Sequence, residues 1–196
     1  MTTHGRRGEH LSRRQQILAA GLAVFSSSGF HGGSVRDIAR RAGLSQAGLL
    51  HHFPSKAQLL GAVLTWRDDI ARRELGEPAP DGLDLIRRLV APPAVTRTQE
   101  LVRLRVITSA EGVAFGHPVH GYVRHRQASV LDMVRRALEH AAARGELRQD
   151  VDPAGTARML VALMDGLRVQ WLLHPEQADI TGDLRRCLQP LLTVDL

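Results

Sequence analysis

The stretch SVRDIARRAGLSQAGLLHHFPSK, Ser34 to Lys56, decides how the rest of this 196-residue chain is read. Ser34 is placed to cap a helix over Val35–Ala42, with Val35, Ile38 and Ala39 facing inward. Asp37 falls at the third helical position, where a carboxylate meets the positive helix end. Gly43 supplies the left-handed residue that stops this helix. Ser45 then caps a second short helix, Gln46–His52, which Pro54 prevents from continuing. Two short helices joined by a Gly-containing turn make a helix-turn-helix.

In such a corner the first turn of the second helix meets base edges. Gln46 has the two-sided amide that can pair with adenine. Ala47 and Gly48 are small enough to let the backbone approach, and Leu50, His51 and His52 lie one turn further on, near phosphate or sugar. Arg36 and Lys56 each sit at a helix start, where a cation and free backbone amides can share one phosphate. The capping residues Ser34 and Ser45 complete the expected DNA-facing set. An isolated Arg36, Arg40 or Arg41 would ordinarily be a solvated helix face; their clustering around the corner points to a nucleic acid instead.

The charge distribution agrees. Lys and Arg total 26 against 20 acids, a net +6, and residues 1–56 hold eight basic and two acidic side chains, so the whole excess lies there. The other 140 residues are balanced at 18 of each sign, which separates a cationic head from a neutral body. Arg6 and Arg7 can be read as a plain basic tail. Lys56 is the only lysine, and a compact point charge at a helix start suits a phosphate. The longest apolar run of the second half, Met159 to Met164, is broken by Asp165, too short to span a bilayer. With a single cysteine, Cys187, and no apolar segment behind MTTHGRRGEH, a soluble cytoplasmic protein is expected.

Outward from the corner, Ser12 and Gln15 form a capping box for a helix striped by Ile17, Ala20, Gly21, Val24 and Phe25 and ended by Gly29. Ser55 starts another, running to about Leu75 with Leu59, Val63, Trp66 and Ile70 on one face. Gly76 to Gly82 reads as a linker. Further helices are expected near 83–91, 97–114, 118–144, 153–173 and 182–193, punctuated by Pro92-Pro93, Gly116-His117, Gly145 and His174-Pro175. Asp152-Pro153 is a strong helix start. No alternating run reads as a strand. The expected fold is all-α: an N-terminal three-helix helix-turn-helix domain, residues 11–71, and a C-terminal helical domain, residues 72–196. Trp66 and Trp171, on apolar stripes, are expected in the core.

Residues 14–60 resemble the amino-terminal domain of the TetR family of regulators. The resemblance is carried by Ile17-Leu18, Phe25, Gly29-Phe30, Ser34 to Ala39, Ala42 to Ser45, His52-Phe53 and Ser55-Lys56. It implies a homodimer on double-stranded operator DNA, with a larger helical domain that holds an effector pocket and the dimer interface. One position departs: the family usually has Tyr where this chain has Leu50, which removes a hydroxyl that commonly touches phosphate. Residues 159–175 are similar to the family's penultimate long helix, so dimerisation is expected through 153–193. The apolar faces there, Leu160, Leu163, Met164, Leu167 and Trp171, with Leu184, Leu188 and Leu191, suit internal core or dimer seam.

The resemblance puts the pocket among the middle helices. Its polar candidates are Arg103, Thr108, Glu111, His120, Tyr122 and Gln170, with Ser109, His117 and His125 nearby. A buried Arg or Glu there would select a ligand of opposite charge. His117-Pro-Val-His120 with His125 lacks a companion Cys or carboxylate at ligand spacing, so neither metal nor cofactor is expected. No nucleophile elbow, phosphate loop or HExxH is present, which argues against an enzyme. A helical adaptor using the basic head on RNA or acidic proteins is the other alternative. A repressor released from its operator by a small molecule is the expectation, because a dimer sitting on promoter DNA blocks polymerase without any further contact surface.

Overall fold

The computed structural model describes residues 12–76, 80–91 and 98–196. Arg6 and Arg7, the domain start at residue 11, the middle of the expected linker and Pro92-Pro93 lie outside these. Among the described residues there are nine α-helices and no strand: α1 Arg13–Gly32, α2 Val35–Arg41, α3 Gln46–His52, α4 Lys56–Leu75, α5 Gly82–Val90, α6 Gln99–Glu111, α7 His120–Ala143, α8 Pro153–Leu173 and α9 Ile180–Leu188. A 3-10 turn, Gln189–Leu191, follows α9.

Local chemistry explains most of the boundaries. Ser12 Oγ accepts the Gln15 amide at 3.2 Å while the Gln15 side chain accepts the Ser12 amide at 2.8 Å, the reciprocal bonding of a capping box. At Gly29 the backbone turns to φ 66°, and one more helical turn follows to Gly32, so α1 bends where the sequence suggested a stop. α6 ends at Glu111 rather than 114, because the Val113 and Ala114 amides turn back to Ala110 and Glu111. α9 starts earlier than expected, with Asp179 accepting the Gly182 amide at 3.0 Å. It ends at Leu188, since Pro190 has no amide proton to continue it.

Two apolar clusters hold these helices. Ile17, Phe25, Ile38, Leu49, Phe53, Leu59 and Val63 build the head, joined by Leu104 of α6 and by Val119. Leu83, Ile86, Leu138, Leu160 and Leu184 build the body around α5, α7, α8 and α9. Trp66 and Trp171 are partly buried, one against each cluster. The boundary read after residue 71 falls within α4, so head and body share a continuous helix. Leu160, Met164, Leu167, Leu184 and Leu188 face the body core, and Leu163, Trp171 and Leu191 pack at its edge. Met159, Val169 and Leu173 of α8 are left exposed.

Candidate functional site

The corner is closed by its own backbone. Gly43 adopts φ 65°, and the Leu44 amide donates back to the Ala39 carbonyl at 2.9 Å. Ser34 Oγ accepts the Asp37 amide at 3.3 Å and Ser45 Oγ the Gly48 amide at 3.0 Å, so both hydroxyls serve as helix caps. Leu49 and Phe53 are buried and pin α3 against the head core. Their burial leaves Gln46, Ala47, His51 and His52 exposed, with Gly48 and Leu50 half-buried beside them.

The head's cations differ in how far they are engaged. Arg13 donates to the Ala42 carbonyl at 3.3 Å, and the Arg14 guanidinium lies 4.6 Å from the centre of the Phe53 ring. Arg40 pairs with Asp37 at 3.3 Å. Lys56 Nζ donates to the His31 carbonyl at 3.2 Å and sits 4.8 Å from the Phe30 ring centre. That link to the end of α1 gave no sequence signal, because His31 and Lys56 are 25 residues apart. Arg36 and Arg41 are exposed and have no side-chain partner among the described residues. The surface around α3 is therefore open and cationic.

Behind the head, α4, α5, α6, α7 and α8 enclose a cavity of about 270 Å³. Its described polar wall consists of Arg67 and Glu74 from α4, Arg88 from α5, Arg105 from α6, Arg126 from α7 and Arg168 from α8. Two carboxylates hold four of these arginines. Asp165 Oδ1 accepts from Arg105 Nη2 at 2.8 Å and Arg168 Nη1 at 3.0 Å. Asp68 Oδ1 accepts from Arg67 Nη2 at 2.7 Å and Arg126 Nε at 2.8 Å, while Asp68 Oδ2 accepts from the Tyr122 hydroxyl. Burial works against the Asp68 carboxylate, but the charges of Arg67 and Arg126 outweigh it and hold its pKa below the ordinary value. Burial, with the hydrogen bond to Asp68, pushes Tyr122 up to about 12. Burial first, then the positive fields of Arg168 and Arg126, bring Arg105 down to about 9.

Comparison with known proteins gives this arrangement its family. The family model described as "Bacterial regulatory proteins, tetR family" matches residues 17–63, and the one described as "BetI-type transcriptional repressor, C-terminal" matches residues 117–189. The HTH-type transcriptional regulator TtgR of Pseudomonas putida is 31% identical over 185 residues, covering 88% of this chain and 86% of that protein. The chain belongs to the TetR family of transcriptional regulators. Among solved structures, a putative TetR-family regulator from Rhodococcus sp. superposes with a TM-score of 0.74 at 27% identity, covering 92% of this chain and 98% of that one. GusR of Salmonella enterica gives 0.73 at 29% identity, covering 97% and 100%. TtgR and the Rhodococcus protein are named as transcriptional regulators.

As in the sequence reading, this TetR-family chain presents Gln46, Ala47 and Gly48 on the first turn of α3. The cavity, in contrast, is lined by a different set from the one expected. Arg103 lies about 200° of helix from Arg105 and misses the wall. Thr108, buried, donates to the Leu104 carbonyl at 2.6 Å; with Tyr122 it lines a smaller cleft that shares Arg67, Arg105 and Arg126 with the cavity. His120 Nδ1 is 2.8 Å from the Gly112 carbonyl, and Gln170 is exposed on α8. Glu111 reaches the head instead: both its oxygens accept the Phe30 amide at 3.0 Å, in space that a side chain at Gly29 would occupy. His117 is buried beside it, with Nε2 3.8 Å from Glu111, while His125 is exposed. The missed residues are arginines of five helices whose common direction depends on packing, not on any local pattern.

Proposed function

We propose that the protein represses transcription as a homodimer on a discrete operator and that a small molecule entering the cavity releases it. The observation that carries this reading is α4. Lys56 in its first turn holds the end of α1, and Arg67, Ala71, Glu74 and Leu75 further along the same 20-residue helix line the cavity. A ligand that moves those side chains acts on a helix whose other end sits beside the recognition corner. In this reading Gln46, Ala47 and Gly48 meet base edges. Arg36, His51, His52 and Lys56 hold phosphates, Leu50 offers only apolar contact there, and Ser34 and Ser45 fix the helix ends. The exposed Met159, Val169 and Leu173 on α8 supply an apolar face for the dimer. The cell compartment that fits is the cytoplasm, where the DNA is.

Footprinting on the DNA around its own gene tests the reading. A protected pseudo-palindrome with half-sites about one helical turn apart is expected. Binding without a discrete footprint would favour a nucleic-acid or protein adaptor. Sedimentation at micromolar concentration is expected to give the dimer mass, and a monomer there would sink the dimer.

A further inference from the structure

We propose that the cavity takes an amphiphilic anion, an oxyanion head such as a carboxylate or phosphate on a short aliphatic body. The inference rests on the reading of this cavity as the effector site and adds the chemistry of what fills it.

The placement of the carboxylates carries the argument. Asp68 and Asp165 are not among the lining residues, so the described wall shows five guanidinium groups and one acid, Glu74. With both aspartates included, five positive charges face three negative ones. Each aspartate offers one oxygen to two guanidinium groups: Asp165 Oδ1 to Arg105 and Arg168, and Asp68 Oδ1 to Arg67 and Arg126. Each trio is left with one excess positive charge. These groups are poorly solvated: the Arg67, Arg105 and Arg168 side chains are 8%, 15% and 9% exposed. Uncompensated charge in such surroundings is costly; burial first, and then the positive fields of Arg168 and Arg126, hold Arg105 below its ordinary value. An oxyanion would relieve that repulsion, and guanidinium groups present donors in the planar fork that carboxylate and phosphate match. A cation would add to the repulsion, and a neutral molecule would leave it in place.

The rest of the wall sets the other half of the ligand. Leu89, Val102, Met133, Val134, Val161 and Met164 are aliphatic or thioether side chains, and no aromatic ring is among the described lining residues. A flexible aliphatic body suits such a surface, and about 270 Å³ keeps it small.

The test uses the full-length protein and four probes that share an octyl chain: octanoate, octyl phosphate, 1-octanol and octylammonium. Calorimetric titration and thermal shift at one salt concentration should show octanoate or octyl phosphate binding at least tenfold more tightly than 1-octanol and raising Tm, with octylammonium inert. The stronger of the two anions identifies the head. Arg168→Gln should remove most of the anion's advantage and leave 1-octanol unchanged. Should that variant not fold, Arg88→Gln, outside the two aspartate trios, should weaken the anion severalfold. Equal binding of 1-octanol and both anions, preference for octylammonium, or no binding of any probe would overturn the proposal. A gel shift on the footprinted DNA separates the two readings. Release by 1-octanol but not by either anion keeps the effector role and overturns the anion. Anion binding to a protein that shows no footprint supports the anion and removes the repressor.

Discussion

In the head, Arg36 and Arg41 stand in solvent and form no ion pair among the described residues, whereas in the body Arg67, Arg105 and Arg168 are withdrawn from water and share aspartates. Counting formal charge by segment finds the first group and misses the second, because the body as a whole is neutral. Exposed cations without partners suit a polyanion met at the surface, and their effect is long-range and salt-sensitive. Buried cations with too few carboxylates suit one small anion. The difference teaches that net charge points to macromolecular partners, while local imbalance under burial points to ligands.

The contrast can be broken most sharply at Asp165. Replacing it by Ala leaves Arg105 and Arg168 without their shared acceptor. Loss of a fully buried partner costs about 3–5 kcal/mol, but Asp165 is itself 39% exposed, so about 2 kcal/mol is expected in denaturant unfolding. No measurable loss would mean that the body arginines are solvated like those of the head. Asp68 extends the test to pH. Its folded pKa lies below the ordinary value of 3.8, so its stabilisation is full above that value and is lost as pH falls through the folded pKa. Asp68→Asn should be less stable near neutrality and show a flatter decline of Tm below about pH 4. A decline as steep as the parent's would remove Asp68 from the account.

The head is expected to respond in binding rather than in stability. Gln46→Ala should shift preference at particular base positions by about 1–2 kcal/mol; uniform weakening on all sequences would show that Gln46 does not read bases. Arg36→Ala should lower the slope of log affinity against log salt by about one and leave folding stability within about 0.5 kcal/mol. Lys56→Ala should reduce the same slope, and an unchanged slope would assign Lys56 wholly to holding α1.

The head was legible because its determinants are local. Ser12, Ser34, Ser45 and Ser55 each bond an amide three residues on, and Gly43 turns the chain in place. The cavity was not legible for the opposite reason. Arg105 and Asp165 meet across 60 residues of sequence, and the face that α6 turns inward is set by its packing against α1, α7 and α8. Polarity alone picked out Arg103 and Gln170, which point elsewhere. Glu111 is a candidate ligand group by sequence, yet its bond to the Phe30 amide forms at the bend at Gly29, which no periodicity announces.

That bond has a mechanical meaning. The Phe30 amide cannot leave the Glu111 carboxylate without losing a charge-assisted hydrogen bond. Glu111 therefore clasps the end of α1 to the helix that also carries Arg105 of the cavity wall, a second tether between head and body beside the continuous α4.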